Sequence, residues 1–173
     1  MRALAVTPIH LPAEEIRRRQ ARYDRLAPPG LEVELVDVGA AAPASLDTDE
    51  SVRASERQVA AALGRAGDGY DLAFPDCVLD PAVPDTVSAD PRPVHGLLKL
   101  SATYLAGKGV RFGAVVRNEA IAAEFGKRIA ELASLGATAV INGCSAVDVE
   151  PADLPARIVD PTALALRLLA VEA

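Results

Sequence analysis

The sequence predicts an α/β protein built on parallel sheets flanked by helices. Three observations carry that expectation. Short apolar runs alternate with stretches of helical period along the chain, the pattern of β–α–β units. Only 3% of residues are aromatic and none is Trp, so Ala, Leu and Val must fill the interior, which suits helices lying close on sheets. Half of the 173 residues are hydrophobic, enough for a sizeable core at this length.

In chain order, Arg2 to Ile9 reads as a buried strand. Ala13 to Leu26 reads as a helix with Ile16, Gln20, Tyr23 and Leu26 on one side, stopped by Pro28-Pro29-Gly30. Glu32 to Val38 alternates polar and apolar residues as a second strand, Ala40 to Glu50 is a loop, and Val52 to Leu63 is a helix. Leu72 to Pro75 is a short buried strand, followed by a proline-rich loop from Asp80 to Pro93. Val94 to Leu97 is expected as a strand, with a helix then running to about Ala106. Arg111 to Val116 is a strand, and Asn118 caps a long helix with Ile121, Phe125, Ile129 and Leu132 on one face. Ala137 to Asn142 and Arg157 to Val159 are the last strands. Asp160-Pro161 supplies an N-cap and a first-turn proline for the final helix.

The net charge of −6 and the absence of a long basic run argue against a nucleic-acid partner. The dense basic patch, Arg17, Arg18, Arg19, Arg22 and Arg25, is expected to be a solvated helix face. No run of about 18 apolar residues predicts a membrane span. Met1 to Val6 is too short before Pro8 to be a signal peptide. Two cysteines without one suggest free thiols in a reducing, cytoplasmic setting. Gly64, Gly67 and Gly69 precede a strand instead of opening a helix, so the phosphate-cradle geometry fails and no cofactor is expected. Neither His10 nor His95 stands at ligand spacing from a cysteine, so no metal site is expected. Each histidine could touch a substrate or tune a thiolate, but reads first as an ordinary loop or core residue.

Cys77 and Cys144 each follow a buried strand, in Leu72-Ala73-Phe74-Pro75-Asp76-Cys77 and Val140-Ile141-Asn142-Gly143-Cys144. In open α/β sheets ligands bind beyond the carboxyl ends of strands. A thiol titrates near about 8.5 and is moved by its surroundings. One thiolate can take a proton from a carbon beside a carbonyl, and a thiol on the other face can return one. A lone cysteine after a strand is ordinarily core; two at matching positions point to chemistry. Asp76 reads as a turn residue whose charge would raise the Cys77 pKa.

Several segments resemble the aspartate/glutamate/hydantoin racemase superfamily, in order over nearly the whole chain. Pro29-Gly30-Leu31-Glu32-Val33 resembles the second strand of hydantoin racemases, and Pro43-Ala44-Ser45-Leu46-Asp47 with Asp49-Glu50 resembles their following loop. Gly69-Tyr70-Asp71-Leu72-Ala73 with Cys77-Val78-Leu79-Asp80-Pro81 resembles the first-cysteine segment. Pro93-Val94-His95-Gly96-Leu97 and Arg111 to Val116 resemble the strands after it. Asn142-Gly143-Cys144-Ser145 resembles the second-cysteine segment, and Ile158-Val159-Asp160 the ending.

The resemblance implies two pseudo-symmetric lobes with the site between them. Residues 1–108 would carry Cys77, and 109–173 a truncated second lobe with Cys144, the helix at 161–173 packing back on the first. It implies Cys77 and Cys144 as acid/base thiols and places Thr7, Pro8, Ser45, Val78, Arg117, Asn118 and Ser145 at the substrate. The main-chain N–H groups of Val78 and Ser145 would hold oxyanion oxygens. The chain departs from the pattern at Thr7-Pro8-Ile9, at Lys99 and at Arg117-Asn118. A helix–strand–helix portion is also condensed into one helix from Asn118 to Leu135. Arg117 could clasp a substrate carboxylate or pair with Glu119 at the surface.

The resulting expectation is a cofactor-independent racemase or isomerase acting on a small carboxylate or cyclic amide. The alternatives are a decarboxylase or lyase with Cys144 as proton donor, and a non-catalytic ligand-binding or assembly subunit. A clipped lobe exposing apolar surface predicts a homodimer or higher homo-oligomer.

Overall fold

The structure is a computed structural model, and it describes residues 1–65, 67, 69–84, 92–115, 125–144 and 154–172. Among the described residues, two three-stranded parallel sheets form the frame. The first has the order β2-β1-β3, from β1 (Arg2–Val6), β2 (Glu32–Val36) and β3 (Leu72–Pro75). The second has the order β4-β5-β6, from β4 (Phe112–Val115), β5 (Ala139–Asn142) and β6 (Arg157–Val159). Among the described residues the α-helices are α1 (Ala13–Leu26), α2 (Asp49–Arg65), α3 (Leu97–Gly107), α4 (Phe125–Ser134) and α5 (Pro161–Leu169).

Helices cover both faces of each sheet, which is why β1, β3 and β5 are almost wholly apolar and buried, while β2 at the sheet edge alternates. Alternate residues of β1 go to opposite sides: Ala3 and Ala5 into the core under α1, Leu4 and Val6 into the core under α2. In β5, Ala139 and Ile141 face α3 while Val140 faces Ile129 of α4. α3 and α5 serve both sheets. Leu97, Ala165, Leu166 and Leu169 belong to the first core, and Leu98, Leu105 and Leu164 to the second.

Several boundaries differ from the sequence expectation. β1 stops at Val6 because Pro8 has no N–H to continue the ladder, and β2 stops at Val36. α2 begins at Asp49, inside the expected loop. Thr48 and Ser51 cap it reciprocally, each hydroxyl accepting the other's N–H at 3.1 Å, and Asp49 and Glu50 suit the positive helix start. The expected strand from Val94 to Leu97 is a single bridge to Ala73, with the His95 N–H on the Ala73 carbonyl at 2.9 Å. Leu97 is instead the first residue of α3. The turn after α1 closes through the Leu31 N–H on the Pro28 carbonyl at 3.1 Å, with Gly30 at φ +89°. Only glycine takes that position of a proline-led turn without strain. The Asp160 side chain caps α5, accepting from Thr162 and Ala163 at 2.9 and 3.1 Å. Asn118 and Ile121, expected to cap and face the long helix, lie outside the described residues.

The basic patch is not a wholly solvated face. Arg17, Arg18 and Arg25 are exposed, but Arg22 is buried and Arg19 is largely covered. Arg19 pairs with Asp76, and Arg22 with Asp160. Among the described residues no helix is long and apolar enough to cross a membrane.

Leu166, fully buried where α5 meets the first core, should cost about 2–5 kcal/mol of unfolding free energy when changed to Ala. Leu135→Ala, at a position 75% exposed, should stay within about 0.5 kcal/mol. Urea unfolding of both variants checks this.

Candidate active site

The carboxyl ends of β3 and β5 carry the two cysteines, one from each sheet. Cys77 is buried and Cys144 half-buried, both as free thiols. They are close enough for Cys144 to act electrostatically on Cys77. The Cys77 pKa is pushed up to about 11, first by burial and then by Asp76, Asp80 and Cys144. The Leu79 N–H, 3.4 Å from the sulfur, opposes this. Cys77 therefore holds its proton at neutral pH.

The turn bearing Cys77 is tied down on two sides. Asp76, 2% exposed, donates its N–H to the Val6 carbonyl at 2.7 Å, and its carboxylate accepts from Arg19 and Tyr23. On the other side, the Asp80 N–H bonds the Cys77 carbonyl, and the Asp80 carboxylate caps α3 by accepting from Leu98 and Lys99 at 3.2 and 2.7 Å. Burial raises the Asp80 pKa against the pull of those N–H donors. Gly96 leaves room for that carboxylate, since a Cβ there would overlap Asp80 Oδ2. The Cys144 turn is held by the Gly143 N–H on the Val115 carbonyl at 2.8 Å and by Asn142 Nδ2 on the Cys144 carbonyl at 3.1 Å.

The other expected site residues fall into three groups. Val78 is buried beside Cys77, and its N–H donates to no acceptor among the described residues, while the next two N–H groups turn back onto Cys77. Thr7 is fully buried and its hydroxyl is engaged within the fold, accepting from the Val38 N–H at 3.0 Å and donating to Asp37. The Pro8 carbonyl accepts from Ser55 Oγ at 2.6 Å, and Ser45 is exposed on the loop after β2. Arg117, Asn118 and Ser145 lie outside the described residues.

His10 is fixed more firmly than an ordinary loop residue, with Nδ1 2.7 Å from Asp37 Oδ2. Asp37 also accepts from Leu11 and Gly39, and these donors outweigh its burial to keep its pKa low. Sequence reasoning missed Arg19 as a partner of the Cys77 turn. The signal was its spacing: Arg19 stands three residues after Ile16 and four before Tyr23, on the buried stripe of α1. Among the described residues no cluster of three or more His, Cys, Asp or Glu side chains could hold a metal.

The fold is shared with solved racemase structures. The structure superposes on allantoin racemase from Klebsiella pneumoniae with a TM-score of 0.72 at 15% identity, covering 99% of this chain and 86% of that one. Allantoin racemase from Pseudomonas fluorescens gives 0.72 at 13% identity, over 99% and 90% of the two chains. An aspartate racemase homologue from Pyrococcus horikoshii gives 0.56 at 16% identity, over 99% of each chain. No protein-family model matches the sequence, and no curated protein matches it by sequence.

Two outcomes follow from this geometry. A thiol whose pKa is raised on folding contributes stability below its unfolded value, and that contribution is lost as pH rises through the folded value. Between about pH 8.5 and 11 the protein should therefore lose stability relative to Cys77→Ser, measured as the difference between their thermal midpoints across pH. Gly96→Ala should push Asp80 off the start of α3 and cost about 1–3 kcal/mol in urea unfolding.

Proposed function

We propose that the protein is a cofactor-independent racemase or isomerase that moves a proton at a carbon beside a carbonyl or carboxylate of a small molecule. The observation that carries this reading is the pair of free thiols at the carboxyl ends of strands from two different sheets, with Cys144 near enough to act on Cys77. One sulfur, as thiolate, takes the proton from one face of the carbon. The electron pair shifts onto the neighbouring carbonyl oxygen as an enolate. The other thiol delivers its own proton to the opposite face as the electron pair returns, leaving the second sulfur as thiolate. In the direction where Cys77 enters protonated, Cys77 is the donor and Cys144 the base. The reverse direction exchanges the roles.

The main-chain N–H of Val78, unclaimed within the described residues, suits an enolate or carboxylate oxygen. Ser145, Arg117 and Asn118 complete the proposed substrate contacts, and a cytoplasmic setting keeps both thiols reduced. The likeness to two allantoin racemases supports cyclic amides as the first substrate class to test, with small amino acids second.

In heavy water each inversion places solvent deuterium on the reacting carbon. Mass spectrometry of allantoin, substituted hydantoins, aspartate and glutamate incubated with the protein should show such exchange. Either Cys77→Ser or Cys144→Ser should slow it about 100-fold or more. No exchange with any of them in folded protein would sink the two-thiol reading. Carbon dioxide release from a malonate-type acid that survives Cys77→Ser but not Cys144→Ser would replace it with the decarboxylase.

A further inference from the structure

Helix α1 presents Arg19 and Arg22 one turn apart, and both point inward. Arg19 bonds Asp76 Oδ2 at 2.8 Å while its Nε bonds Glu15 at 2.8 Å. Tyr23, fully covered, donates to Asp76 Oδ1 at 2.7 Å and packs its ring on Phe74 of β3. Both oxygens of a nearly inaccessible carboxylate are thus held by α1, one residue before Cys77. A buried ion pair adds little net stability over apolar side chains of the same volume. A function in placing charge and backbone accounts better for retaining one here.

We propose that Arg19, Tyr23 and Asp76 are positioning residues for Cys77, anchoring its turn to α1 and holding one partly neutralised negative charge beside the sulfur. Arg22 extends the anchor, because Asp160, which it pairs with, directly follows β6 of the second sheet and caps α5. The groups acting on the Cys77 thiol are Asp76 and Asp80 from its own turn and Cys144 from the second sheet. Behind them stand Arg19, Glu15 and Tyr23 on α1 and Lys99 on α3. The catalytic meaning rests on the reading of Cys77 as an acid/base group; the electrostatic claim does not.

The test is the pH dependence of iodoacetamide alkylation of Cys77, followed by mass spectrometry in full-length protein carrying Cys144→Ser. Asp76→Asn removes the negative charge, so the midpoint should fall and alkylation below it should run about threefold or more faster. Arg19→Met leaves that charge less neutralised, so the midpoint should rise and alkylation should slow. Tyr23→Phe should act in the same direction as Arg19→Met, more weakly, and it removes only a hydroxyl, so it serves if Asp76→Asn does not fold. Opposite shifts from Asp76→Asn and Arg19→Met, or an upward shift from Tyr23→Phe, support the assembly. Unmoved midpoints in folded variants, or shifts of the same sign from Asp76→Asn and Arg19→Met, overturn it. Failure of the deuterium exchange would leave this titration unchanged, so the two ideas fail separately.

Discussion

Two parallel sheets, each needing cover on both faces, share one layer of helices, and the placement of the thiols depends on that sharing. α3 sends Leu97 toward the first sheet and Leu98 and Leu105 toward the second. α5 divides in the same way, with Leu166 and Leu169 on one side and Leu164 on the other. Burying apolar surface at these positions is the main driving force joining the sheets, at about 25 cal/mol per Å². With that layer fixed, the turns after β3 and β5 carry Cys144 to where it acts on Cys77.

The turn around Cys77 gathers two carboxylates beside a thiol, and each carboxylate is held by its own donors. α1 answers Asp76 with a guanidinium and a phenol, while the start of α3 answers Asp80 with main-chain N–H groups. Both negative charges remain beside a sulfur that is already poorly solvated, so the thiol keeps its proton. A two-thiol reaction needs one protonated and one ionised sulfur at its start. An environment that keeps Cys77 protonated would supply the first condition of the proposed reaction.

Much of the fold was legible in the sequence because its signals are local. Three-to-five-residue apolar runs, the Pro28-Pro29-Gly30 stop and the Asp160-Pro161 start each act within a few residues, and the structure reproduces them. The segment Val94 to Leu97 pairs only at Val94, because its short Val-His-Gly-Leu stretch fits a strand or a helix start. Asp80, far back in the chain, decides between them by capping α3. α2 starts earlier than its apolar period suggests because the Thr48–Ser51 cap comes before it.

The sequence by itself determined the parallel α/β class, the order of the elements and the position of each cysteine just past a strand. Those follow from periodicity and turn chemistry, which are properties of neighbouring residues. Only the tertiary structure decided that Arg19 and Arg22 turn inward to Asp76 and Asp160, and that Thr7 is engaged within the fold. The same holds for the proximity of the two thiols. These depend on which helix lies over which strand end. Residues 57 positions apart, as Arg19 and Asp76 are, carry no mark of each other until packing brings them together.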